Sequence, residues 1–201
     1  MSDPAMQDST LHGPAVRAIA IGASAGAVQV LLRLLPALPG DFPLPLLIVV
    51  HVPPDRDNAL VALFQSRCAL PVKEAEDKEA IAAGTIYFAP SDYHLLVEGD
   101  HSLSLSSDEP VHHSRPAIDV LLESAADAYG PALAAIMLTG ANQDGAAGLA
   151  AVARAGGIAV VQDPAGAQVP TMPEAALAAC PSAIIMTLDD IIPYLLTLAA
   201  K

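Results

Sequence analysis

The sequence predicts an α/β fold, in which a three-layer, doubly wound and mostly parallel sheet carries a local antiparallel hairpin. Two observations predict it. Short apolar runs bounded by turn residues alternate along the chain with longer segments whose apolar residues recur at helical spacing. The composition, with 53% hydrophobic and 15% charged residues in a chain of 201, supplies the core that such a layered domain requires.

The first half of the chain alternates strands and helices. The β-branched run 17–21 predicts a strand that ends at Gly22, and apolar residues at helical spacing over 28–35 predict a helix that closes at Pro36. Residues 46–50 are apolar on both faces, which is typical of a parallel strand covered by helices on two sides. The next elements in order are an amphipathic helix over 58–64 and a strand near a sheet edge over 71–75.

Further along, residues 85–106 change to short β segments, and the glycine-centred turn 98–100 predicts an antiparallel hairpin added to the parallel sheet. After a polar loop we expect a helix with Ser114 or Arg115 near its cap and Pro116 in its first turn. The remaining strands (134–138, 158–161, 183–187) alternate with helices (146 to the glycines at 156–157, 174–179, 188–200).

The charge balance argues against two classes of partner. The chain has 9 basic and 22 acidic residues, a formal net charge of −13, so its surface repels phosphate backbones and anionic lipid. Aromatic residues make up 3% and there is no tryptophan, which disfavours a base-stacking platform for nucleic acid. We therefore expect no nucleic-acid partner and no membrane insertion.

The terminus and the cysteines indicate a cytoplasmic protein. Residues 1–15 lack the basic start and apolar run of a secretory signal, and we expect them to form a disordered tail before a single catalytic domain over 16–201. The most apolar stretch, 31–50, is interrupted by charges and four prolines, which excludes a spanning helix there. Cys68 and Cys180 have no cysteine or histidine at ligand spacing, as expected of buried thiols in a reducing compartment.

The turn Gly22-Ala23-Ser24-Ala25-Gly26 places one hydroxyl between the first strand and the first helix. Flanking glycines permit a sharp turn with an exposed central side chain, which is the geometry of a nucleophile elbow. A phosphate-binding turn at a helix N-terminus is the alternative. The dinucleotide-binding fingerprint does not fit, because Ser24 and Ala27 stand where glycines are expected.

Two further polar residues follow predicted strands. His51 ends the second strand and Asp144 lies in a glycine-flanked loop after residues 134–138, so both are expected at the same sheet edge as Ser24. A nucleophile, a base and an orienting acid suit acyl transfer, with the backbone N–H of Ala25 as an oxyanion donor. Alone, His51 would be a structural histidine and Asp144 a helix cap. Asp163, at another strand end, is the rival acid.

The other candidate residues have simpler explanations. His112 and His113 suggest metal binding, but adjacent histidines do not face one site on a regular element, so we favour a solvated loop. We expect His94 and His101 at the surface of the hairpin. Arg115 either binds a substrate carboxylate or pairs with a neighbouring acid.

Six segments occur in a specific order. They are residues 20–26 (AIGASAG), His51 with Pro53, residues 114–119 (SRPAID), Thr139-Gly140 with Asp144-Gly145-Ala146, Gln162-Asp163-Pro164, and Met172-Pro173. Together they resemble the catalytic domain of the bacterial chemotaxis protein-glutamate methylesterases, the CheB family. The likeness extends from about residue 16 to 190, which makes it far more specific than any one motif.

The resemblance implies a serine hydrolase that removes methyl esters from glutamate side chains on the cytoplasmic helices of chemoreceptors and can deamidate receptor glutamines. Carried over by position, Ser24 is the nucleophile, His51 the base and Asp144 the acid, while Asp163 has a supporting role. No cofactor or metal is implied. The alternative is a non-catalytic or divergent α/β module that binds an anion or a peptide at the glycine turn.

The chain departs from the family pattern near the site. The family usually has threonine and glycine where Ala25 and Ala27 stand, and methionine and glycine where Ala141 and Asn142 stand. These changes alter the pocket wall and the surroundings of the oxyanion hole, for which we assign Ala25, Ala141 and Arg115 as oxyanion or substrate residues. Usual members also carry a receiver domain, for which we expect no room in this chain, so the regulatory partner is unknown.

Overall fold

Runs of Val, Ile, Leu and Ala form one parallel sheet because helices bury both faces of these runs. The computed structural model of the chain describes residues 15–51 and 59–200. Its strands are β1 (Ala18–Ala23), β2 (Leu46–Val50), β3 (Val72–Glu74), β4 (Ile86–Phe88), β5 (His94–Val97), β6 (Leu103–Ser106), β7 (Leu133–Met137), β8 (Ile158–Gln162) and β9 (Ile184–Met186). Its α-helices are α1 (Ala27–Leu34), α2 (Ala59–Gln65), α3 (Ile118–Tyr129), α4 (Ala146–Arg154), α5 (Thr171–Ala179) and α6 (Leu188–Ala199).

The seven strands of the main sheet lie in the order β3-β4-β2-β1-β7-β8-β9, and every neighbouring pair is parallel. The chain builds one half of the sheet from β1 through β2 and the other half from β7 onward. The strand order therefore reverses between β1 and β7. In open α/β sheets the crevice beyond the carboxyl ends at such a reversal is where functional groups gather.

The hairpin β5–β6 is antiparallel, as predicted, but it forms a separate two-stranded sheet. It packs on α3 rather than extending the parallel sheet. The preceding segment, β4, lies inside the parallel sheet between β3 and β2. Its three residues are all buried, as is typical of an internal strand of a parallel sheet that helices cover on both faces.

Alternate side chains of β1 enter two different cores. Ile19 and Ile21 join the core under α1 and α6, whereas Ala18 and Ala20 face the core that contains α3, α4 and α5. Small side chains on the second face let α3 lie directly against the central strand. This close approach brings the N-terminus of α3 to the edge of the sheet where β1 and β7 end.

Helix α3 begins at Ile118 with Ala117 in the cap position, two residues after Arg115. Pro116 therefore precedes the helix, and its predicted place in the first turn is wrong. The Ala117 side chain cannot cap the helix, and the first N–H groups are bound by side chains distant in sequence, described below. Residues 1–14 of the predicted tail, and residue 58 of the predicted second helix, lie outside the described residues. None of the described helices combines the length and apolarity needed to cross a membrane.

Candidate active site

The three loops that carry the predicted catalytic residues are joined by backbone hydrogen bonds. Ser24 follows β1 directly, and its N–H donates to the carbonyl of Thr139 in the loop after β7 at 2.9 Å. His51 follows β2 directly, and its N–H donates to the carbonyl of Ala23 at 3.2 Å. The strand ends and their loops therefore form one continuous edge, as the parallel sheet predicts.

The Ser24 turn is tight and is held from outside. Gly26 has a φ of 84°, a conformation that favours glycine, and a Cβ at this position would lie 3.1 Å from the Cβ of Gln168 and from Cγ2 of Thr139, a tight contact. The Thr139 hydroxyl donates to the carbonyl of Ala25 at 2.9 Å. Within the described residues the N–H groups of Ala25 and Gly26 have no hydrogen-bond partner, and Ser24 is half-buried beside them.

His51 and Asp144 form a short, sheltered pair. Nε2 of His51 lies 2.7 Å from Oδ2 of Asp144, and the two side chains are 12% and 0% exposed. An ionised carboxylate only accepts hydrogen bonds, so Nε2 carries the proton and Nδ1 is the basic nitrogen of the neutral ring. In the described part of the chain no hydrogen bond joins the Ser24 hydroxyl to this ring.

Asp144 binds the first N–H groups of α3 instead of capping its own helix. Its Oδ2 accepts from the N–H of Ile118 at 2.7 Å and its Oδ1 from that of Asp119 at 3.0 Å. Burial would raise the pKa of this carboxyl, but the hydrogen bonds from His51 and from the two N–H groups outweigh it and hold the pKa below its usual range. Asp144 is therefore ionised and can support an imidazolium.

Two glycines allow this contact between α3 and the loop after β7. A Cβ at Gly22 would lie 2.4 Å from the side chain of Ile118, and one at Gly145 would lie 2.6 Å from the same side chain. Gly145 also has a φ of 90°. Any side chain at either position would push the N-terminus of α3 away, and the N–H of Ile118 would leave the carboxylate of Asp144.

Comparisons with known proteins identify the family of this chain. The family model for the CheB methylesterases matches residues 19–195. The chain belongs to the CheB methylesterase family. A solved structure, the CheB methylesterase catalytic domain of Thermotoga maritima, has a TM-score of 0.86 and 31% identity, and the match covers 92% of this chain and 100% of that one. The predicted family and fold class are thus confirmed.

The curated relatives differ in the share of their own length that matches this chain. A Leptospira interrogans protein named as a protein-glutamate methylesterase/protein-glutamine glutaminase is 43% identical over 87% of this chain and 90% of its own length. A Myxococcus xanthus protein of that name is 38% identical over 86% of this chain but only 49% of its own length. The CheB-type domain therefore accounts for nearly all of one relative and half of the other.

Of the other predicted residues, Arg115 has its side chain engaged in hydrogen bonds to other residues of the CheB-type domain. Its guanidinium donates to Oδ1 of Asp92 at 2.7 Å and to the carbonyls of Ser107 and Asp108 at 2.9 and 3.0 Å. It thereby ties the hairpin to the segment before α3. Ala141 is exposed in the loop after β7. The assignment of both residues to substrate binding stays a prediction.

His94 is buried, so its predicted surface position is wrong. Its Nδ1 accepts from the N–H of Ala117 at 3.1 Å, and its Nε2 contacts the carbonyl of Glu109 at 3.2 Å. The ring thus caps α3 beside Asp144. His101 is half-buried and stacks on Tyr129 with ring centroids 4.5 Å apart, so it is not a free surface residue either.

Sequence reasoning did not assign a role to Asp119. Its Oδ1 accepts from the N–H of Gly148 in the first turn of α4 at 2.7 Å, while its own N–H binds Asp144, so the aspartates cap each other's helices. His112 Nε2 lies 3.2 Å from Oδ2 of Asp119. An acidic residue in the first turn of a helix was the available signal. No group of three metal-binding side chains occurs in ranges 15–51 and 59–200.

Proposed function

We propose that this chain is a serine hydrolase that demethylates glutamate methyl esters on the cytoplasmic helices of chemoreceptors, with Ser24 as nucleophile, His51 as base and Asp144 as orienting acid. The observation that carries the proposal is the sheltered His51–Asp144 pair at the sheet edge that also presents Ser24. Membership of the CheB methylesterase family and the names of its relatives support the substrate. Deamidation of receptor glutamines is proposed on the same grounds.

The chemistry follows from the placement of the groups. The Ser24 oxygen attacks the ester carbonyl carbon while its proton passes to Nδ1 of His51. The bond to the methoxy oxygen then breaks, and that oxygen leaves as methanol with the proton from His51. Water, losing a proton to His51, hydrolyses the acyl-enzyme to release the glutamate and restore Ser24. These steps need no cofactor.

Charge that develops on the carbonyl oxygen needs donors in place beforehand. The N–H groups of Ala25 and Gly26, which have no partner in the described residues, are available at the start of α1. Loss of one such donor costs about 3 kcal/mol of transition-state stabilisation in other serine hydrolases. Ala25 is therefore our first choice for the oxyanion donor, with Ala141 as the second.

The test is methanol release from a methylated chemoreceptor fragment by Ser24→Ala. We expect turnover to fall at least about 10³-fold, because removal of a serine nucleophile leaves only the remaining site groups to act. Ser66→Ala is the matched control, since this exposed hydroxyl follows α2 and, among residues 15–51 and 59–200, its one side-chain hydrogen bond is to the carbonyl of Leu63. Unchanged turnover by Ser24→Ala would exclude the proposed nucleophile.

A fluorophosphonate probe separates the esterase from a non-catalytic binding module. An activated Ser24 should form a bond to phosphorus and release fluoride, whereas a serine that only binds an anion should not react. Comparison of a methyl-ester receptor peptide with its glutamine counterpart then measures the preference for ester over amide.

A further inference from the structure

Asn142 lies against the proposed base. It is half-buried in the loop after β7, and its Nδ2 is 3.4 Å from Nδ1 of His51. Its Oδ1 accepts from the backbone N–H of Asp144 at 3.2 Å. That second contact fixes the orientation of the amide, because the N–H of Asp144 must meet an oxygen. The NH₂ group therefore points at His51.

The amide of Asn142 donates a hydrogen bond to Nδ1 of His51, the nitrogen that must accept the Ser24 proton. Asp144 holds the proton of His51 on Nε2, so Nδ1 has the single lone pair of the neutral ring. The Ser24 proton has to reach that lone pair, and Asn142 donates to it instead. The absence of a hydrogen bond between Ser24 and His51 among the described residues is consistent with this competition.

We propose that Asn142 is a positioning residue that engages Nδ1 of His51 in the free protein and must be displaced before Ser24 can be deprotonated. The inference rests on the proposed triad. When the Ser24 oxygen bonds to the carbonyl carbon and its proton moves to Nδ1, the new N–H faces the NH₂ of Asn142. Two donors then oppose each other, so the amide cannot stay.

Rotation of the Asn142 amide would remove the repulsion between the two donors but would break its hydrogen bond with the N–H of Asp144. To offer its oxygen to the imidazolium, Asn142 has to release the N–H of Asp144 and point its NH₂ at that donor. The side chain or its loop must therefore move away from His51. Asn142 thus slows attack by Ser24 until a substrate that fills the crevice takes the place of the amide.

The experiment measures the rate at which a fluorophosphonate labels Ser24, with no receptor present. Asn142→Ala should label about fivefold faster than the wild type, which is the effect of one neutral hydrogen bond of about 1 kcal/mol. Asn142→Ser should behave alike, because its hydroxyl can still accept from the N–H of Asp144 but is too short to reach His51. It also serves if the alanine variant does not fold.

Gln143→Ala is the matched control. Gln143 is the next residue of the same loop, its side chain is exposed, and it makes no side-chain hydrogen bond to His51 in the described residues. Its labelling rate should equal that of the wild type. A rise in this variant too would mean that any change in the loop accelerates labelling, and would overturn the role of Asn142.

A spectroscopic readout is independent of turnover. In the Ser24→Ala background no serine hydroxyl can take the place of the amide at Nδ1 of His51. The ¹⁵N chemical shift of this nitrogen should therefore change when Asn142→Ala is added. It should not change when Gln143→Ala is added. Wild-type labelling at the same rate as Asn142→Ala, or an unmoved resonance, overturns the inference and leaves the esterase intact. No labelling of any variant overturns both.

Discussion

Two histidine–aspartate pairs lie where the N-termini of α3 and α4 meet, and they differ in depth. His51 and Asp144 are 2.7 Å apart with side chains 12% and 0% exposed. His112 and Asp119 are 3.2 Å apart with side chains 37% and 7% exposed. Each aspartate binds backbone N–H groups at the start of a helix. Only the first pair lies at the sheet edge with Ser24.

Folding shifts the pKa values of the two carboxyls in opposite directions. Burial raises the pKa of Asp119, the charge of Asp144 adds to this, and the N–H of Gly148 and the imidazole of His112 do not compensate. Asp144 is more deeply buried, yet three hydrogen bonds lower its pKa. The hydrogen bonds to Asp144, of which that from His51 lowers the pKa most, outweigh its greater depth, so Asp144 is the carboxylate that is more stable as an anion.

The largest effect is expected from Asp144→Asn. An amide at this position has one acceptor oxygen for three donors, and its NH₂ must face one of them, so the tautomer of His51 is no longer fixed. Methanol release should fall about 10⁴-fold, as in other triads that lose this charge. The free energy of unfolding should fall by about 1–3 kcal/mol, measured by urea titration.

Asp163→Asn is the control for that change. Asp163 also follows a strand and was the rival acid, but its carboxylate accepts from the N–H of Ala165, a contact that asparagine can keep. Equal losses of activity in Asp144→Asn and Asp163→Asn would mean that Asp144 is not the orienting acid of the triad.

The sequence was informative about strand ends and uninformative about the α3 N-terminus. Ser24 and His51 follow apolar runs directly, and parallel strands bring such ends to one edge, so their proximity could be predicted. The first N–H groups of α3 are bound by His94 and Asp144. His94 is 23 residues from Ala117, and Asp144 is 26 and 25 residues from Ile118 and Asp119. Capping rules are local, so they predict a cap near Ser114 or Arg115 and do not identify these distant side chains.

A smaller effect is expected at Asp119, and it depends on the substituent. Asp119→Ala leaves the buried N–H of Gly148 without an acceptor and should lower the free energy of unfolding by about 1–3 kcal/mol. Asp119→Asn keeps an oxygen for that N–H and removes a charge that burial disfavours. Its free energy of unfolding at neutral pH should equal or exceed that of the wild type, by urea titration. Equal destabilisation by both changes would contradict this account.

The smallest and most diagnostic effect is the pH dependence of these differences. The pKa of Asp144 is lowered by folding, so its stabilisation is present above the unfolded value of about 3.9 and is lost as pH falls through the folded pKa. The pKa of Asp119 is raised, so its cost is absent below about pH 3.9 and grows as pH rises to the folded pKa.

Urea titrations across the acidic range should therefore show opposite trends. As pH rises, Asp144→Asn should lose stability relative to the wild type, and that change should be complete near pH 4, at about the unfolded value. Asp119→Asn should gain relative to the wild type, and its change should begin there. Differences that move in the same direction would mean that the two carboxyls share one environment, and the contrast between the pairs would not hold.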